Sequence, residues 1–136
     1  MDDSTKIQSR VPEKFISVLI IAEAGSLQKG LAALTSVVPY IDRIYHESSI
    51  TETSGSVSQH PPGLVLLDGD LLREKMADLL RSLKNRYPES IYLVLANDVQ
   101  QAQLAKSAGV DEALLKGFPA EKLLATIEAL LNPDAA

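Results

Sequence analysis

Four apolar residues in a row, Leu64-Val65-Leu66-Leu67, stand between Pro61-Pro62-Gly63 and Asp68. A short unbroken run of this kind predicts a strand buried on both faces, as in a parallel sheet. Phe15 to Ile21, rich in β-branched residues, predicts a first strand. Ile41 to Glu47 predicts a second, Ile91 to Ala96 a fourth and Glu112 to Leu115 a short fifth. The spaces between them carry helical periods. Leu27, Leu31, Leu34 and Val38 recur at i, i+4, i+7 and i+11, with Ser26 as the predicted cap and Pro39 as the stop. Leu72, Met76, Leu79 and Leu83 repeat that spacing, with Asp70 as the predicted cap and Pro88 as the stop. Asp98 is predicted to cap a short helix ending near Gly109, a fitting C′ residue. Pro119 opens a last helix with Leu123, Leu124, Ile127, Leu130 and Leu131 on its inner side, closed by Asn132-Pro133. Residues 48 to 60 are Ser/Thr-rich without a period, which predicts a loop or a poorly formed helix. Residues 1–12 are polar and predict a mobile tail. One domain over 13–132 remains, with 133–136 as its end or the start of a linker. Strand and helix alternate about five times, the signature of a parallel sheet covered by helices on both faces.

Composition narrows the function classes. The chain has 136 residues, enough for one domain with a real core. Trp is absent, so Leu, Ile, Val and Ala must build most of that core. The formal charge is −5 and Lys and Arg occur only as scattered residues or pairs, so no phosphate-backbone footprint exists and no direct nucleic-acid binding is expected of this domain. There is no Cys, which removes disulfides, thiolate metal sites and a Cys nucleophile, and suits a reducing cytoplasm. Ile16 to Ala22, interrupted by Ser17, is far too short to span a bilayer, and the acidic start Met1-Asp2-Asp3 argues against a secretory signal. His46 in a strand and His60 in a polar loop suggest neither a zinc site nor a Ser-His-Asp triad.

Three ionisable residues fall at corresponding strand ends: Glu23 after the first, Asp68 after the third and Lys116 after the fifth. In an open α/β sheet the carboxyl edge is where ligands bind. Two carboxylates can hold a hard cation such as Mg²⁺ through oxygen. The cation and an ammonium can then neutralise a phosphoryl group delivered to a free carboxylate oxygen. Each residue also has a plainer reading: Asp68 as a turn or helix cap, Glu23 as a solvated loop residue, Lys116 as a helix-start lysine.

With those residues in view, the chain from Ile16 to Leu131 resembles the receiver domain of two-component response regulators. Val18-Leu19-Ile20-Ile21-Ala22-Glu23 resembles the family's first strand with its acidic pair. Leu64-Val65-Leu66-Leu67-Asp68 resembles the strand bearing the phospho-accepting Asp, and Leu114-Leu115-Lys116 the strand ending in the family's Lys. Ser107-Ala108-Gly109-Val110 is similar to the segment before it. Gly30-Leu31 and Pro39-Tyr40-Ile41 are similar to the NarL-like branch, whose members usually carry a C-terminal helix-turn-helix. The 45 residues from Glu23 to Asp68 and the 48 from Asp68 to Lys116 are ordinary spacings for the family.

The resemblance implies a flavodoxin-like, doubly wound five-stranded parallel sheet in the order 2-1-3-4-5. It implies Asp68 as phosphoryl acceptor, Lys116 as phosphoryl contact, and Glu23, Asp68 and the main-chain carbonyl of Asp70 as ligands of a weakly held Mg²⁺. It implies a sensor histidine kinase or phosphotransfer protein as partner, a possible homodimer through the family's fourth and fifth helices, and a cytoplasmic location away from the membrane. The departures are as informative. Ala22 stands where the first acid of the pair is usual, Leu95 where the fourth strand ends in a switch Thr or Ser, and Ala113 where the fifth carries the aromatic switch residue. Gly117 follows Lys116 where Pro is usual, and the Met-Pro and Asp-Gly signature after Asp68 is missing.

Three functions therefore compete. One is a receiver that accepts a phosphoryl group on Asp68. A second is a pseudo-receiver, an interaction module without phosphotransfer. The third is a phosphohydrolase, because Asp68-Gly69-Asp70 is similar to the nucleophile motif of haloacid-dehalogenase-type enzymes, in which the second Asp acts as acid and base. That family opens its domain with the motif and needs a later acidic pair. Here the motif lies mid-chain, and Ala96-Asn97-Asp98 supplies one acid.

Overall fold

The computed structural model describes residues 15–48, 60–71 and 75–132. The expected tail (1–12), most of the 48–60 segment, Leu72 and the end at 133–136 lie outside the described residues. Five strands follow the apolar runs: β1 Ile16–Ile21, β2 Ile41–Glu47, β3 Leu64–Asp68, β4 Ile91–Ala96 and β5 Glu112–Leu115. Four helices alternate with them: α1 Ser26–Thr35, α2 Met76–Arg86, α3 Val99–Ser107 and α4 Ala120–Leu131. A 3₁₀ turn, Gly69–Leu71, leaves β3.

All strand pairs are parallel and the order is β2-β1-β3-β4-β5. The order expected from the resemblance is therefore the one observed. The period of 2 along each strand divides the interior into two cores. Leu19, Ile21, Val65, Leu67, Tyr92 and Val94 face α2 and α3, packing with Met76, Leu80, Leu83 and Ala105. Val18, Ile20, Leu64, Leu66, Leu93 and Leu95 face α1 and α4, packing with Leu31, Leu123 and Ile127. The fully buried Leu64–Leu67 run is explained by this double covering. At its entry, Gly63 runs so close to β1 that a Cβ there would lie 2.8 Å from Ile16 Cβ.

Two helix starts differ from expectation. Ser26 is the first residue of α1 rather than its cap; Gly25, at φ 156°, takes the cap position. α1 also stops at Thr35, whose hydroxyl bonds back to Leu31 O at 2.8 Å, while Val38 remains buried in the turn that follows. Asp70 does not cap α2, which begins after Lys75; its carboxylate has distant partners described below. Asp98 does cap α3, accepting from Gln101 N at 2.8 Å, and Gly109 follows that helix at φ 104°. Among the described residues no helix is long and apolar enough to cross a membrane.

Candidate functional site at the carboxyl edge

Register carries the candidate residues to one edge. Asp68, the last residue of β3, pairs with Leu95 of β4, which pairs with Leu114 of β5. Lys116 extends that ladder by one bond, its N–H donating to Ala96 O at 2.7 Å. Two residues on from Leu114, Lys116 emerges on the same sheet face as Asp68. Its ammonium lies 2.6 Å from Asp68 Oδ1 and 3.2 Å from Asp70 Oδ2. Asp68 is nearly buried, with a side chain 13% exposed, while Asp70 reaches solvent at 41%.

The 3₁₀ turn explains how Asp70 returns to the site. Its N–H donates to Asp68 Oδ1 at 3.0 Å, closing a tight turn around the carboxylate. The other oxygen of Asp70 accepts from Asn97 Nδ2 at the end of β4. Asn97 N–H in turn donates to Gln101 Oε1 at 2.8 Å, in the first turn of α3. Gly69 is required at the start of this turn: a Cβ there would collide with Gln101 Oε1 and stand 2.9 Å from Leu95 O. After Lys116, Gly117 adopts φ 88°, a left-handed turn that redirects the chain toward α4.

Electrostatics at Lys116 are a contest. Burial disfavours its charge, but hydrogen bonds and charge from Asp68 and Asp70 outweigh that, and its pKa is raised above the ordinary value. Glu23, exposed just beyond β1, lines a concavity of about 320 Å³ together with Asp68, Asp70 and Leu71. Its donors are all oxygens, the chemistry of a hard cation rather than a soft one. Among the described residues no three carboxylate or imidazole side chains converge at metal-binding distance. Asp68 and Asp70 share Lys116, while Glu23 lines the concavity from the β1 side.

Ala22, Leu95 and Ala113 bring only hydrocarbon to this end of the sheet. Ala22 is buried beside Leu31, its carbonyl accepting from Gln28 Nε2 at 3.1 Å. Leu95 is fully buried opposite Asp68 in the α1/α4 core. Ala113 helps to form a groove of about 560 Å³ between α3 and β5, bordered by the exposed Val99 and Leu115. His46 and His60 are exposed. Sequence reasoning missed Asn97 and Gln101, and it read the Asp70 side chain as a helix cap or an acid/base group rather than as the partner of Lys116 and Asn97.

No protein-family model matches the chain, and no curated protein matches it. Solved structures do. A response regulator receiver domain protein from Clostridium thermocellum is 22% identical with a TM-score of 0.70, the match covering 88% of this chain and 96% of that one. A CheY-like receiver domain protein from Methanospirillum hungatei is 16% identical at a TM-score of 0.72, covering 88% and 96%. NtrX from Brucella abortus is 20% identical at 0.74, covering 88% of this chain and 27% of its own.

The chain has the receiver fold.

Within that fold the carboxyl edge brings together Asp68, Lys116, Glu23 and the 69–71 turn.

Proposed function

We propose that this chain is a receiver of two-component signal transduction that accepts a phosphoryl group on Asp68. The observation that carries the reading is the 2.6 Å contact between Lys116 Nζ and Asp68 Oδ1 at the carboxyl edge of a receiver fold. The acceptor is a carboxylate oxygen of Asp68. It attacks phosphorus, forming an acyl phosphate as the bond from phosphorus to the donor breaks and the donor leaves with that electron pair. Lys116 supplies a fixed positive charge to the incoming oxygens, with no proton transfer required of it. Glu23, Asp68 and the main-chain carbonyl of Asp70 would hold Mg²⁺, which when bound neutralises phosphoryl charge.

A sensor histidine kinase or a phosphotransfer protein would be the donor, acting in the cytoplasm. The NarL-like segments add a helix-turn-helix output as the kind of domain to look for. Homodimerisation through the family's fourth and fifth helices, here α3 and α4, would use the apolar groove beside Ala113. A phosphohydrolase is disfavoured, because its acid/base role would fall to Asp70, whose carboxylate is held by Lys116 and Asn97.

The pseudo-receiver reading draws on one specific observation, the fully buried Leu95 opposite Asp68. One measurement decides between the two. The wild-type chain and Asp68→Asn are incubated with acetyl phosphate and Mg²⁺ and weighed intact. One added phosphoryl mass in the wild type and none in Asp68→Asn is expected. An unmodified wild type would leave an interaction module on the receiver fold.

A further inference from the structure

The route by which receivers usually register the phosphoryl group needs a hydroxyl at the end of the fourth strand, and this chain has Leu95 there. Leu95 is fully buried among Val18, Ile20, Leu66 and Leu93, and its side chain offers no hydrogen-bonding atom. A different polar path leaves the same carboxylate. Lys116 Nζ bonds Asp68 Oδ1 and Asp70 Oδ2. Asp70 Oδ1 accepts from Asn97 Nδ2. Asn97 N–H donates to Gln101 Oε1, and Gln101 N–H donates to the capping carboxylate of Asp98. The path thus runs from the ammonium, through the turn after β3, to the first turn of α3.

We infer that Asp70 and Asn97 form a relay that takes the place of the missing hydroxyl, coupling the charge state of Asp68 to the start of α3. The inference rests on the phosphoryl-accepting reading of Asp68. An ammonium has three N–H donors, and two are committed to the carboxylates. An acyl phosphate on Asp68 puts further anionic oxygens beside Lys116 and competes with Asp70 for it. Asp70 is the partner able to leave. It sits on a short 3₁₀ turn at the surface, 41% exposed, whereas Asp68 is fixed at the end of the central strand. Its departure takes the carboxylate from Asn97, the residue immediately before the α3 cap. Contact across the turn is tight: at Gly69 even one methyl group would strike Gln101. Displacement of the 69–71 turn therefore acts on Gln101 directly as well as through Asn97.

The test uses the full chain with beryllofluoride and Mg²⁺ as the phosphoryl mimic, followed by backbone amide NMR. Wild type, Asn97→Ala and Asn97→Leu are compared; both changes are at an exposed side chain outside the two cores. In the wild type, loading should move the amides of residues 68 and 116 together with those of 97–101. In both variants, 68 and 116 should still move, while the shifts at 97–101 shrink several-fold. Shifts at 97–101 that persist undiminished in both variants would overturn the relay and leave the acceptor role of Asp68 standing. If the mimic moved neither 68 nor 116 in the wild type, the phosphoryl-accepting reading would fail first and the relay with it.

Discussion

Lys116 carries one positive charge between two carboxylates, and its titration reports how the site is held. Burial lowers its pKa, the bonds and charges of Asp68 and Asp70 raise it, and the net direction is upward from 10.5. A group bound more tightly in its protonated form by the fold adds stability at every pH below the unfolded value. That contribution is lost as pH rises through the folded-state pKa. Wild type should therefore lose stability above 10.5 along a slope that Lys116→Met lacks, measured by urea unfolding on both sides of that value. Near neutral pH, Lys116→Met should be the less stable by about 1–2 kcal/mol, because Asp68 and Asp70 then face one another without a cation. The strand-end placement of Glu23, Asp68 and Lys116 was legible because it depends on where apolar runs stop, a local property. The carboxylate of Asp70 was not legible: its partners Asn97 and Lys116 lie 27 and 46 residues away, and no local spacing encodes them.

At the level of elements, α2 depends on a residue outside itself. The carbonyls of a helix's last turn have no partner within the helix. Here Leu83 O already accepts from the C-cap Tyr87 N–H at 2.8 Å, and Tyr92, on β4, adds its buried hydroxyl at Leu83 O (3.0 Å) and at Tyr87 O just past the helix (2.7 Å). Burial raises the pKa of that phenol, so it remains a donor throughout the ordinary pH range. Tyr92→Phe keeps the ring and removes the donor; the expected cost is about 1–2 kcal/mol. The check is a melting curve, lowered by roughly 3–8 °C. Elements were legible where one strong local signal acted alone, as for Glu112–Leu115 or the Asp98 cap. Helix starts were harder. Ser26 and Asp70 both have the chemistry of a cap, but Gly25 takes that position for α1, and Asp70 is drawn into a turn by the carboxylate two residues before it.

For the whole molecule, apolar strand runs alternating with helical periods were enough to imply the sheet, since each strand must hide both sides and each helix one. The strand order, expected from the resemblance, needed pairings that no single segment contains. The central position of β3 has its own mechanical consequence. Its amides and carbonyls are bonded to β1 on one side and β4 on the other, so residues 64–68 can open only when the sheet itself opens. The side chains of Asp70 and Asn97 reach solvent beside this strand, and the rim they form can fray locally. Amide hydrogen exchange should report the boundary as a step, with Leu66 and Leu67 exchanging at least about tenfold more slowly than Asp70. A donor docking at this edge thus meets an anvil: the acceptor carboxylate does not yield, and every adjustment the encounter requires falls on the rim.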